Sequence, residues 1–200
     1  MRVIGITGGV GSGKSYVARR LQELSGAELL IADELGHIVM EQGKPAYERI
    51  LAYFGDDIVG SDGEIDRQAL AELVFQSDAA REALNQMIHP AVLQYMEQFI
   101  VKRQEIDGFI LLETALLYES GCERFCDEVW FVSVPQEKRI HRLQRDRGYS
   151  ISKAQAIIAS QMPEEEFKKR ADQVIDNAGD KDALERTIQS LARQIKDYKP

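Results

Sequence analysis

Cysteine is nearly absent from this sequence: of 200 residues only Cys122 and Cys126 carry thiols, too few for a disulfide framework. Their spacing suggests adjacent turns of a helix. Zinc would need further Cys or His ligands, and His37, His89 and His141 fall one to a segment, so both cysteines read as reduced bystanders. Long apolar runs are also missing. Nothing approaches the roughly 20 residues that span a bilayer. The apolar stretch at the N-terminus (MRVIGITGGVG) is too short for a secretion signal and runs straight into a glycine-rich pattern. A cytoplasmic location is the resulting expectation. An excess of positive charge is lacking as well. The net charge of −8 tells against broad binding to nucleic acid or anionic membrane, while leaving room for a local basic pocket that takes a small anion.

What is present is an ordinary globular composition. With 44% hydrophobic and 29% charged residues, the chain can build one sizeable core with small inserted subdomains. Short β-branched apolar runs recur at Arg2 to Thr7, Leu29 to Ala32, Phe109 to Leu112, Val129 to Val134 and, more weakly, Gln173 to Asp176. Helical segments separate them, which predicts an α/β fold with a mainly parallel sheet covered on both faces. About 75 residues separate the second run from the third, far more than a crossover needs. That stretch reads as an inserted helical subdomain. It has helices at Glu34 to Gln42 and Pro45 to Phe54, a small hairpin at Ile58 to Ile65, helices capped by Asp66 and Ser77, and a further helix opened by Pro90. A second insertion follows the fourth run: a helix from Pro135 to Arg147, one begun by Ser152 with Gln155 placed for a capping box, and one opened by Pro163.

Residues 8 to 15 read GGVGSGKS, a full match to G-x-x-x-x-G-K-[ST] between an expected strand and an expected helix. Glycines let backbone N–H groups turn inward around a phosphate without obstruction. Gly9, Gly11, Ser12 and Gly13 therefore form the expected nucleotide cradle, with Tyr16 at its exit. Lys14 supplies charge to the β- and γ-phosphates, and the Ser15 hydroxyl is the expected ligand of Mg²⁺ bridging phosphate oxygens. MgATP is the expected donor. The base-reading Asn-Lys-x-Asp segment of GTPases is absent, as is the Ser-Gly-Gly signature of ABC-type ATPases. A small-molecule kinase fits best, and it needs an acceptor base, a magnesium-side carboxylate and mobile cations.

Asp33, at the end of the second strand, is the candidate base for an acceptor hydroxyl, or a helix cap, or both. Glu113, closing the third strand, could order Mg²⁺ or its waters from a second shell and face the acceptor, or be a solvated strand-end charge. Arg139, Arg142 and Arg145 recur at i, i+3, i+6, as closing arginines that stabilise the transferred phosphoryl group or as a solvated face paired with Glu137 and Asp146. His89 could line an acceptor pocket or pack. Asn177, after the fifth strand, is the candidate neighbour of adenine. Alternatives that stay open are another small-molecule or nucleoside monophosphate kinase, a nucleotide-dependent regulatory ATPase switch, and a non-catalytic binding module.

Beyond these readings, the chain resembles the dephospho-coenzyme A kinase family along most of its length. The segments that carry the resemblance are IGITGGVGSGKSYVA (4–18), ADELGH (32–37), FGDDIVGSDGEIDRQALAELVF (54–75), IHP (88–90), ETALLYESG (113–121), RLQRDRG (142–148) and ASQMPEEEFKKRADQVIDN (159–177). Ile31, Tyr16, Glu113 and Ala115 depart from its usual pattern. The resemblance implies ATP-dependent phosphorylation of the ribose 3′-hydroxyl of dephospho-coenzyme A, the last step of coenzyme A synthesis. It implies a P-loop kinase-type three-layer fold with a five-stranded parallel sheet and two helical insertions. The expected division is a nucleotide core at 1–33, 107–135 and 171–200, an acceptor-binding insertion at 34–106, and a lid at 136–170. The expected partners are ATP and dephospho-coenzyme A, with no nucleic acid and no membrane, the chain being a monomer or weak homo-oligomer.

Overall fold

The computed structural model describes residues 1–198. Five strands, β1 (Arg2–Thr7), β2 (Glu28–Ile31), β3 (Phe109–Glu113), β4 (Glu128–Ser133) and β5 (Gln173–Asp176), form one parallel sheet in the order β2-β3-β1-β4-β5. This is the expected α/β architecture. Strands β1, β3 and β4 are apolar on both faces because both faces are covered, whereas the edge strand β5 buries only Ile175. On one face α1 (Lys14–Ser25) packs beside the last helix, α9 (Lys181–Asp197). Val17, Ala18 and Leu21 of α1 and Leu184, Ile188, Leu191, Ala192 and Ile195 of α9 are helical stripes that close over Ile4, Ile6, Leu111, Trp130 and Val132. Arg20 of α1 joins them at the rim through Glu185 of α9 at 2.7 Å. On the other face Phe167 stacks on Phe131 at 5.0 Å, and Leu117 and Cys126 fill the space left by the missing side chain of Gly5.

The chain divides into two compact units, residues 1–31 with 105–200, and residues 32–104. The first also holds α6 (Gln136–Arg147), α7 (Ile151–Ala159) and α8 (Glu164–Arg170). The second is built from α2 (Ala32–Ile38), α3 (Tyr47–Phe54), α4 (Arg67–Gln76) and α5 (Asp78–Val101). Asp66 caps α4 by accepting from the N–H groups of Gln68 and Ala69, and Ser77 caps α5 through Ala80, as their sequence positions predict. The hairpin expected at Ile58 to Ile65 is a short antiparallel bridge between Val59 and Ile65. Among the described residues no helix is long and apolar enough to cross a membrane.

Four local expectations are corrected. Pro90 does not open a helix: α5 runs through it without interruption. A proline there forfeits the bond to the carbonyl of Gln86, but both residues are exposed, so water can take that carbonyl. Meanwhile Met87, Ala91, Val92 and Met96 keep the buried stripe continuous. The cap of α7 is Ser150, whose Oγ accepts from the Lys153 N–H at 3.2 Å, so Ser152 lies within the first turn and Gln155 closes no capping box. The two cysteines bracket a single 3-10 turn, Cys122–Phe125, rather than two turns of α-helix. Asp33 stands in the first turn of α2, because β2 ends where Ile31 pairs with Glu113 and the chain turns at once into helix.

Candidate active site

The glycine-rich loop links the C-terminal end of the central strand β1 to α1. Gly11 and Gly13 adopt φ of 78° and 83°, a left-handed backbone that side chains resist. The Ser12 N–H closes a turn on the Gly9 carbonyl at 3.0 Å, and the first helical bond is Val17 N–H to the Gly13 carbonyl at 3.2 Å. The amides of Lys14, Ser15 and Tyr16 therefore precede any intrahelical acceptor, and α1 carries no acidic residue in its first turn. These free amides, with the positive end of the helix dipole behind them, suit an anion. The hydroxyls of Thr7 and Ser12 are buried beside the loop and have no hydrogen-bond partner, a further pair of groups that a bound phosphate or its water would satisfy.

Beneath the loop lies a buried carboxylate. Ile6 of β1 is in register with Glu113 of β3, which places Glu113 at the sheet edge under α1. Only 2% of Glu113 is exposed. The Ser15 Oγ donates to its Oε2 at 3.1 Å, and the Lys14 ammonium lies 3.5 Å from its Oε1. A carboxylate at this depth requires such a cation. The serine hydroxyl and the carboxylate are hard oxygen donors side by side, which fits Mg²⁺. That ion takes few protein ligands and fills its octahedron with waters and phosphate oxygens, so it needs no protein cage.

The expected cations reach the loop in different ways. Arg139 is buried, donating from Nε to the Val10 carbonyl at 2.9 Å and from Nη2 to the Gln161 amide oxygen at 2.8 Å. Burial lowers its pKa from the usual arginine value, and the field of Glu164 opposes that shift. Its guanidinium lies so close over Gly9 that a Cβ there would collide with it. Arg142 donates to the carbonyls of Ser12 at 3.2 Å and Asn177 at 2.8 Å. Asn177 in turn donates from Nδ2 to the Ser12 carbonyl at 2.7 Å, so its side chain supports the loop. Arg145 turns outward, three-quarters exposed, and pairs with Asp146 at 2.6 Å. Tyr16 is half-exposed at the loop exit.

A cavity of about 250 Å³ opens beside the loop, bordered by Gly13, Lys14, Ser15, Arg142, Asp146 and Arg147. A larger hollow of about 510 Å³ lies at the opposite end of the sheet, around Met1, Arg2 and Phe109, and has none of the loop's amides. Chemistry, not size, selects the smaller one. Asp33 and His89 belong to the second unit, both exposed, Asp33 on α2 and His89 on α5. One site residue lacked an assigned role in the sequence, Gln161, in the turn after α7; Arg147, which lies next to the arginine series in the sequence, borders the cavity. Gln161 lies in the segment 159–177 that carries the family resemblance, but no spacing rule gives it a role, because its partner Val10 is 151 positions away.

The chain is similar to known proteins along most of its length. The family model described as dephospho-CoA kinase matches residues 2–182. A dephospho-CoA kinase of Symbiobacterium thermophilum is 41% identical over 194 residues, covering 96% of this chain and 81% of that protein. Among solved structures, the dephospho-CoA kinase from Campylobacter jejuni aligns with TM-score 0.72 at 25% identity, covering 98% of each chain. The shikimate kinase from Acinetobacter baumannii, solved with shikimate, shares the fold at TM-score 0.56 and 16% identity over 98% of this chain and 93% of its own.

Proposed function

The chain belongs to the dephospho-CoA kinase family and is an ATP-dependent kinase; from that premise we propose how its own residues move a phosphoryl group from MgATP to the ribose 3′-hydroxyl of dephospho-coenzyme A. The transfer is direct and in line. The Asp33 carboxylate orients the 3′-hydroxyl and accepts its proton as the oxygen attacks the γ-phosphorus. The bond from that phosphorus to the β–γ bridging oxygen breaks, and ADP and coenzyme A leave. The loop amides and Lys14 hold the triphosphate. Ser15 would hold Mg²⁺, with Glu113 orienting its waters. When bound, that ion neutralises charge on the phosphate oxygens. Arg139 and Arg142, with Arg145 or Arg147 on closure, balance the charge that spreads over the equatorial oxygens. Residues 136–170 serve as the lid. The 32–104 unit, with His89, serves the acceptor. Asn177 faces the adenine side of the loop. We take the enzyme to be cytoplasmic and a monomer or weak homo-oligomer.

The observation that carries this reading is the convergence of Lys14 and Ser15 on the buried Glu113, at the helix N-terminus where the amides of Lys14, Ser15 and Tyr16 precede any intrahelical acceptor. Purified protein given MgATP and dephospho-coenzyme A should yield coenzyme A and ADP in equal amounts. No coenzyme A at saturating substrates would falsify the acceptor. Replacing Asp33 by Asn should lower turnover about 100-fold or more, the usual worth of a general base, with MgATP binding within about twofold of the parent. Parental turnover in that variant would remove Asp33 from the chemistry.

A further inference from the structure

Three groups form a closed ring at the loop crest. The Val10 N–H donates to the Gln161 Oε1 at 2.9 Å. The Val10 carbonyl accepts from the Arg139 Nε at 2.9 Å. The Arg139 Nη2 donates to the same Gln161 oxygen at 2.8 Å. Both neighbours of the Gln161 side chain are N–H donors, so the amide must present its oxygen, and that oxygen's two lone pairs are both used. One side chain thus fixes a backbone amide of the phosphate loop and a cation beside it.

The chemistry of the holder matters as much as its position. Arg139 is buried, yet no carboxylate of the described residues lies within ion-pair distance of it. The carboxylate whose field opposes the effect of burial on Arg139 is Glu164, and it is spent on the Ser133 hydroxyl at 2.7 Å and on Lys168. A glutamate at 161 would make the same hydrogen bonds and cancel the charge. A glutamine makes them and leaves the charge whole. We propose that Gln161 is a positioning residue for the donor site: it holds the Val10 peptide and Arg139 in place with a neutral acceptor, so that the guanidinium meets the triphosphate as an uncompensated cation. Because Gln161 lies between α7 and α8, the same contact joins the 136–170 segment to the loop. The inference rests on the reading of Gly8 to Ser15 as the MgATP site.

Two variants separate geometry from charge, and direct titration of MgATP keeps the test independent of the acceptor. Gln161→Met removes the acceptor at nearly constant length. Gln161→Glu keeps the acceptor and neutralises Arg139. Both should weaken MgATP binding about tenfold or more and raise KM for ATP in step, with KM for dephospho-coenzyme A within twofold. Gln161→Glu should do so without loss of melting temperature, a split that a merely structural role would not produce. In an Arg139→Met background, Gln161→Met should add less than twofold. The proposal is overturned if folded Gln161→Glu binds MgATP as tightly as the parent, or if the two Met substitutions multiply. Should Gln161→Met not fold, Gln161→Asn withdraws the amide by one methylene and is held to the same tenfold threshold. If the parent binds MgATP but makes no coenzyme A, the acceptor reading fails and the Gln161 test still stands.

Discussion

Gly9 is variable in the phosphate-loop pattern, yet it has a reason to be glycine here. A Cβ would collide with the Arg139 guanidinium, so any side chain displaces the arginine from Val10 and Gln161. Hydrogen bonds from a charged donor are worth about 1.5–3 kcal/mol each. Gly9→Ala should therefore weaken MgATP binding about tenfold while the sheet and α1 remain intact, measured by titration and circular dichroism. Unchanged affinity would mean that Arg139 takes no part in holding the donor. The cysteines show the opposite economy. Burial pushes the Cys126 thiol up to about 12, and Cys122 is raised for the same reason, so neither offers a thiolate near neutral pH. At this scale the grouping of the loop with its carboxylate was legible in the sequence. Lys14 and Ser15 follow from a pattern, and Glu113 from its place at a strand end. Gln161 was not legible, because nothing in its own neighbourhood requires a glutamine. Its meaning comes from a loop 151 positions earlier.

Helices illustrate why the remaining errors fell where they did. Equal spacing of Arg139, Arg142 and Arg145 suggested one face. A helix turns about 100° per residue, so six positions carry Arg145 about 120° away from Arg139, and it points to solvent. Eight positions bring Arg147 back to the cavity side, where it is found. Local signals also misled at Pro90, a residue that normally starts or breaks a helix. In α5 the buried stripe from Met87 to Met96 outweighs the lost bond. Pro90→Ala should then restore that bond and stabilise the protein by up to about 3 kcal/mol, read as a higher urea midpoint with unchanged slope. A lower midpoint would show that the proline is accommodated by packing rather than merely tolerated. Strands β1, β3 and β4 were read well because a sheet buried on both faces leaves continuous apolar runs, and the exposed edge strand β5 gave the weaker signal.

The whole molecule couples nucleotide to stability. A ligand that binds only the folded chain stabilises it by about 2.7 kcal/mol at a hundredfold excess over its dissociation constant. MgATP at that excess should raise the melting temperature by several degrees. Lys14→Met should abolish most of the shift, because the loop then faces the phosphates without its ammonium. A full shift in the variant would place the nucleotide elsewhere. The acidic chain makes this a local matter. With a net charge of −8, the long-range field does not draw a polyanion, so the proposed mechanism relies on the arginines, Lys14 and loop amides gathered at one sheet edge.

The sheet order has a further consequence for how the molecule is made. The loop belongs to the first strand and helix, but its supports come late: Arg142 and Gln161, then Asn177, then α9 against α1. A ribosome therefore releases the phosphate grip long before the parts that hold it in shape. Nascent chains stopped before Asn177 should fail to retain nucleotide however long they wait, and folding that begins at the N-terminus must end by returning to it.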